Sequence, residues 1–452
     1  MSEPVRIGCG AGFAGDRSDA ALPIIAELAR YSGARFLIFE TLAERTLALC
    51  QLEKRRDGAR GFSPALDRMI PQALGPALAA GIRIAGNFGA ANPRAAAERI
   101  AHYARAAGFT KARIAVVEGD DLSASFTLDE LRARECDGSL LEKQQKIAAA
   151  NVYLGAEGIA QALNAGADVV VTGRVADPAL ALGPLVHAFG WEWDDWQRLA
   201  CGTLAGHLLE CGSQVTGGYF ADPGIKDVPG FAEIGYPIAE VASSGELVIT
   251  KPRDTGGIVD RRTVTEQILY EVHDPGAYLT PDVVLDITGV ELEQDGGDRI
   301  RLRGARGKTK PDTLKATVFV ESGFLGEAEI SYAGIHALAR GRLAAEAIKA
   351  RMQRRAPELP LRTDLIGVNS VFGNLAQEAD MQPAEVRLRV AAQHPRPEPI
   401  EMLLNEVEAL YCAGPAAGAG VRRHLTPRLA STSCLIERER VCPKIAFIPG
   451  VG

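Results

Sequence analysis

Residues 5–17, VRIGCGAGFAGDR, run from a short apolar start through Gly8, Gly10, Gly12 and Gly15 to the charged pair Asp16 and Arg17. Glycine admits positive φ and leaves the backbone unshielded by side chains. After a strand, such a loop offers bare N–H groups to a phosphate or carboxylate. Gly10, Gly12 and Gly15 also satisfy G-x-G-x-x-G, and Glu40 closes the next apolar run, where a dinucleotide fold keeps its ribose-binding acid. Against that, the helical pattern begins only near Asp19, well past Gly15, and the Asp16 carboxylate would repel a pyrophosphate. Three readings follow: a site for NAD(P) or FAD, a tight turn without ligand, and an active-site loop that presents Asp16 and Arg17 beside the amides of Gly12 and Gly15. The last is preferred.

Other stretches carry candidate chemistry. In TGRVADP, residues 172–178, Arg174 has the planar fork that grips a carboxylate or phosphate. Asp177 can orient that arginine, cap the helix that Pro178 opens, or act as a base. In GNFGAANPR, residues 86–94, Asn87 can donate to an oxyanion. Asn92, before Pro93, has the form of a helix N-cap and is kept as an anion-binding candidate. In GHLLECGSQVTGG, residues 206–218, His207 and Cys211 are four apart and share a face if the segment is helical. They are a Cys–His nucleophile pair or ordinary packing, and His207 is equally a hydrogen-bonded helix residue or a general base. Gln214 is a candidate substrate contact. Gly256 and Gly257 precede a helical pattern at 263–270 and form an anion-holding helix start or a simple turn. No H-E-x-x-H or H-x-H ligand set is present, so a metal is left undetermined. Glu40, Glu118, Asp120 and Asp121 are strand-end acids without an assigned metal role.

These residues need elements to position them. Apolar runs at 5–9, 35–39, 82–86, 113–117 and 168–172 are rich in Val and Ile, as strands covered on both faces are. Alanine-rich amphipathic patterns at 19–31, 43–53, 94–107 and 156–164 alternate with them. The order predicts an α/β fold with a mostly parallel doubly wound sheet, a partial β/α barrel being the runner-up. Each strand ends in a polar or glycine-rich loop, and in a parallel sheet ligands bind beyond the C-terminal strand ends. All five loops are therefore expected at one edge. From Gly217 onward turns become dense and short alternating strands appear at 246–250, 299–303, 314–319 and 328–332, with a hairpin tip at 294–298 and helices at 337–351 and 399–410. The division predicted is a parallel-sheet domain over 1–216 carrying the main site, and an α+β domain with antiparallel strands over 217–452. Residues 446–452 are expected to fray.

With 452 residues, two cores are the default. A net charge of −7 gives no basic footprint for nucleic acid, and no apolar run approaches the ~20 residues that a membrane helix needs. The N-terminus has no basic-then-apolar secretory pattern. Eight scattered cysteines without a C-x-x-C pair suit a reducing cytoplasm. Alanine-rich apolar helix faces in a chain of this size suggest a homo-oligomer.

Taken together, GAGFAGDR (10–17), FETLAERT (39–46), GNFGAANP (86–93), TGRVAD (172–177), GSQVTGGY (212–219), DPGIKDVPGFAEIGYPI (222–238), KPRDTGG (251–257), TVTEQILY (263–270), YLTPDVVLDITG (278–289) and AGPAAGAGV (413–421) resemble the acyclic terpene utilisation family of AtuA type. The resemblance spans nearly the whole chain. It implies a role in the catabolism of citronellol- and geraniol-like isoprenoids or branched acids through CoA thioesters. One reaction it suggests is a lyase that releases acetate from a branched 3-hydroxyglutaryl-CoA. Such a reaction needs a base for the tertiary hydroxyl, donors for an enolate and a clamp for a carboxylate. Asp16 or Glu40 would be the base, Asn87 and backbone amides the donors, and Arg17 or Arg174 the clamp. The expected function is thus an enzyme acting on a small carboxylate or acyl-CoA, a carbon–carbon lyase or a hydrolase. An NAD(P)- or FAD-dependent oxidoreductase and a non-catalytic subunit of a CoA-pathway complex are the alternatives. The sequence requires no cofactor, and both a divalent metal and a CoA thioester substrate stay open.

Overall fold

The computed structural model describes residues 3–449 except 124, 137, 139, 140, 142–146 and 374–381. The five apolar runs are strands: β1 (Val5–Ala11), β2 (Arg35–Phe39), β3 (Arg83–Gly86), β4 (Ile114–Glu118) and β5 (Val169–Thr172). They lie parallel in the order β1-β2-β3-β5-β4, with Leu37 opposite Gly8 and Ile84, and Val171 opposite Gly86 and Val116. On one face, α1 (Ala21–Leu28), α3 (Leu66–Ala79) and α4 (Pro93–Ala106) share a core with Leu37, Phe39, Ile84, Val116 and Val171. The alternate residues Ile7, Ile38, Ala85, Ala115 and Val170 are just as buried. Their cover comes from α5 (Glu157–Asn164), α6 (Ala179–Phe189) and α7 (Trp196–Glu210), which pack on these strands and on one another. Burial on both faces is why these strands read as unbroken apolar runs. This part also holds α2 (Glu44–Arg56), α8 (Arg261–Leu269) and a short helix at Leu128–Arg132.

The sheet is mixed rather than mostly parallel. Beyond β1 run β6 (Ile238–Val241), β7 (Leu247–Thr250), β8 (Glu291–Gln294) and β9 (Ile300–Arg303) in the order β8-β9-β7-β6-β1, every pairing antiparallel. Antiparallel neighbours need only tight turns, and the turn-dense sequence after Gly217 supplies them. On the far edge β10 (Lys444–Phe447) pairs antiparallel with β4, so the tail is paired through Phe447 instead of fraying; residues 450–452 lie outside the described ones. The sheet ends on β8 and β10 and is open, not a barrel.

Compactness divides the chain at a different place from the change of pattern at Gly217. One unit comprises Met1–Glu142, Ala148–Val318 and Thr432–Gly452, and the other Lys143–Ile147 and Phe319–Ser431. Strands β6 to β9 belong to the first unit because their free edge is completed by β1, as in the cross-strand ion pair between Arg6 and Glu240 at 3.0 Å. The second unit is α+β in itself. Antiparallel residues 324–333, Leu361–Ile366 and Glu385–His394 bury Ile330, Leu365 and Leu388 under the helices Ala337–Arg355 and Pro397–Glu408. No helix among the described residues is long and apolar enough to cross a membrane.

Candidate functional site

The loops after the five parallel strands do meet. After β2, Glu40 turns inward, and its Oε1 accepts the Leu42 N–H at 2.8 Å and the Asn87 side-chain amide at 2.9 Å, the latter from the loop after β3. The loop after β4 sends in Asp120, which accepts the Arg174 backbone N–H at 2.9 Å. A Cβ on Gly173 would stand 2.5 Å from Asp120 Oδ1, so glycine is needed where β5 ends. Past it, Arg174 is 2% exposed although it is the largest fully buried side chain. Its Nε donates to Val175 O at 2.7 Å, and its other nitrogens reach Leu42 O, Val175 O and the Asp177 carboxylate. The Tyr153 ring lies 4.5 Å from the guanidinium, a cation–π contact.

Glu40, Arg174 and Asp177 line a cavity of about 610 Å³ at this strand edge, and Asp16 lines it as well. Glu44, Glu210 and Glu271 line it too, against the cations Arg174 and Lys315, so acids outnumber bases six to two. Glu40 and Glu210 are buried among these acids, and carboxyls so crowded cannot all ionise. Burial, helped by the charge on Asp177, pushes the Glu40 carboxyl up to about 8, so it holds its proton at neutral pH. Asp177 is also raised by burial, but Arg174 opposes the rise directly and Glu40 has no such contact; the negative charge therefore settles on Asp177. Glu44 is held below the usual range by the Tyr153 hydroxyl, although burial works against this, and sits 3.8 Å from Lys315.

Several expected roles change. The glycine loop binds its own anion: Asp16 accepts the Gly12 and Arg17 N–H groups, both at 2.8 Å, and the Tyr236 hydroxyl. Those amides are not free for a pyrophosphate, and Gly12 is needed because a Cβ would stand 2.4 Å from the backbone of Cys211 and Gly212. Gly15 packs on the Phe13 ring and lies outside the cavity. Arg17 also lies outside it and pairs with Asp19 at 3.0 Å. Asn87 is fully buried; its amide serves Glu40 and its oxygen takes the Thr41 N–H at 2.7 Å, so it positions the acid and offers nothing to an oxyanion. Asn92 is an N-cap, accepting from Ala95 N–H, not an anion site. Asp177 does not cap α6, whose first turn has no side-chain cap. The Gly256 and Gly257 amides donate to Glu233 O and Pro229 O and cradle no anion. Gln214 does line the cavity.

His207 is not in the cavity. It is 1% exposed, with Nδ1 2.8 Å from Glu210 Oε1 and Nε2 3.1 Å from Ile268 O. Cys211 lines the cavity, but it is the C-cap of α7, and burial drives its thiol well above the ordinary value, so no activated Cys–His pair exists. Glu210 is absent from the residues singled out in the sequence, although its place three residues after His207 marks a helical (i, i+3) pair. Lys315 and Tyr153 had no local signal, since only folding brings them to the β2 loop. Among the described residues no three His, Cys, Asp or Glu side chains are placed to hold a metal ion.

A family model described as acyclic terpene utilisation family protein AtuA matches residues 5–447. No curated protein and no solved structure matches the chain significantly.

Proposed function

Because this chain belongs to the acyclic terpene utilisation family of AtuA type, we propose that it is an acid–base enzyme of isoprenoid or branched-acid breakdown that acts on a small carboxylate or acyl-CoA. The observation that carries this reading is the pairing of Glu40 with Asp177 across buried Arg174 in one cavity. Two carboxyls whose surroundings drive their protonation apart supply an acid beside a fixed negative charge. In a carbon–carbon cleavage of a 3-hydroxy acid or thioester, a carboxylate takes the hydroxyl proton and the O–H electron pair becomes part of a new C=O. The adjacent carbon–carbon bond breaks, and its electron pair passes to the departing fragment as an enolate. The Glu40 carboxyl then protonates that carbon. Asp177, fixed by Arg174, keeps the proton on Glu40 until it is needed. Lys315, whose side chain is 51% exposed, offers a mobile cation to a substrate carboxylate or CoA phosphate.

The test is a melting-temperature screen against branched hydroxy acids, acyl-CoA thioesters and divalent cations, followed by turnover assays on whatever binds. A hydroxy acid or thioester should raise the midpoint by several degrees, and Glu40→Gln should keep the shift while turnover falls about a hundredfold or more. Binding by no acid or thioester would end the proposal.

A further inference from the structure

Glu210 is the last residue of α7 and is 9% exposed. Its Oε1 is held by His207, whereas its Oε2 is buried without a hydrogen-bond partner among the described residues, and the residue lines the cavity. A buried carboxylate oxygen without a donor is costly, and on a residue that lines a cavity it calls for a donor from a ligand. His207 is unusual in its turn. Both ring nitrogens face acceptors, the Glu210 carboxylate and the Ile268 carbonyl, and only the doubly protonated ring donates to both. His207 lies in the last turn of α7, and Ile268 in the last turn of α8. Two helix C-termini therefore present their negative ends to one imidazolium and offset its burial. The imidazolium in turn favours the charged form of Glu210 against burial and against the charges of Asp177 and Glu271. Cys211 and Tyr278 are the other titratable groups close by.

We propose that Glu210 Oε2 is the acceptor of a substrate hydroxyl, taking its proton during turnover, and that His207 is a positioning residue that sets its charge. This rests on the hydroxy-acid reading above. The proton passes from the substrate oxygen to Glu210 Oε2, the freed O–H pair enters the new C=O, and Glu40, lining the same cavity, returns a proton to the carbon. Glu210 is then left protonated and Glu40 ionised, and exchange with water resets both.

Carbon-13 labelling of the glutamate carboxyls in the full-length protein gives a readout that needs no substrate. One carboxyl resonance should titrate near pH 7, vanish in Glu210→Gln and move to higher pH in His207→Gln, which keeps a donor but removes the charge. A purely structural pair would lower the melting temperature of His207→Gln without moving any titration. The binding arm compares 3-hydroxy-3-methylglutarate with 3-methylglutarate. Wild type should prefer the hydroxylated acid by about tenfold, and Glu210→Gln should lose that preference. An unchanged preference in Glu210→Gln, or a Glu210 carboxyl that titrates at the ordinary glutamate value, overturns the proposal. A wild type that binds neither acid removes the hydroxy-acid reading and, with it, the assigned hydroxyl; the carboxyl titration then decides separately whether His207 sets Glu210.

Discussion

The Asp16 carboxylate accepts the Gly12 N–H at 2.8 Å, so the glycine-rich turn after β1 carries its anion within the chain. The same carboxylate takes the Arg17 N–H and the Tyr236 hydroxyl. Its oxygens face donors only, and an amide nitrogen in its place would oppose one of them. Asp16→Asn should therefore lower stability by about 1–3 kcal/mol, read as a fall in denaturation midpoint. A variant as stable as wild type would show that the turn does not depend on this carboxylate.

The same contact bears on nucleotides. With the Gly12 and Arg17 amides engaged, saturating NAD, NADP or FAD should leave the melting temperature unchanged. A ligand at a hundred times its Kd adds about 2.7 kcal/mol, which a melt would show plainly. A clear upward shift would restore the dinucleotide reading.

Glu40 predicts a pH signature. Its carboxyl rises from an ordinary value near 4.5 to about 8 on folding, so the folded chain binds the proton more tightly than the unfolded chain. The associated stability is full below about pH 4.5 and is lost as pH rises through about 8. Glu40→Gln, which cannot ionise, should match wild type near pH 5 and exceed it near pH 9, by on the order of a few kcal/mol. Parallel stability curves for the two proteins would refute the assignment of the proton to Glu40.

Arg174 holds the carbonyls of Leu42 and Val175 and the charge of Asp177 from a position 2% exposed. Arg174→Ala removes the buried member of an ion pair whose carboxylate is 36% exposed, together with its hydrogen bonds to two carbonyls, at a cost of about 2–3 kcal/mol. Adding Asp177→Asn should recover part of that loss, since the stranded charge goes with it. If the double variant is no more stable than the single one, Asp177 is not the partner that matters.

Much of the site's framework was legible. Unbroken Val- and Ile-rich runs marked β1 to β5, and the polar segments after them were rightly expected at one edge, because parallel strands send every C-terminal loop the same way. The short alternating pattern of the segments after Gly217 places β6 to β9 with the later strands, and only pairing with β1 tells the two apart. Asn87 and Arg17 were chosen as ligand groups for their chemistry. What a polar group can offer a ligand depends on what already holds it, and that is fixed by neighbours distant in the chain.

By itself, then, the sequence determined the five parallel strands, which loops share an edge, and which family the chain resembles, since these follow from local pattern and chain direction. Tertiary structure alone decided that Glu40 keeps a proton, that Asp16 fills the glycine turn, and that Glu210, a cavity-lining residue, buries one oxygen without a donor among the described residues. Protonation and hydrogen-bond capacity are properties of surroundings, and those surroundings exist only once Asn87, Arg174, Tyr236 and Ile268 have been folded against them.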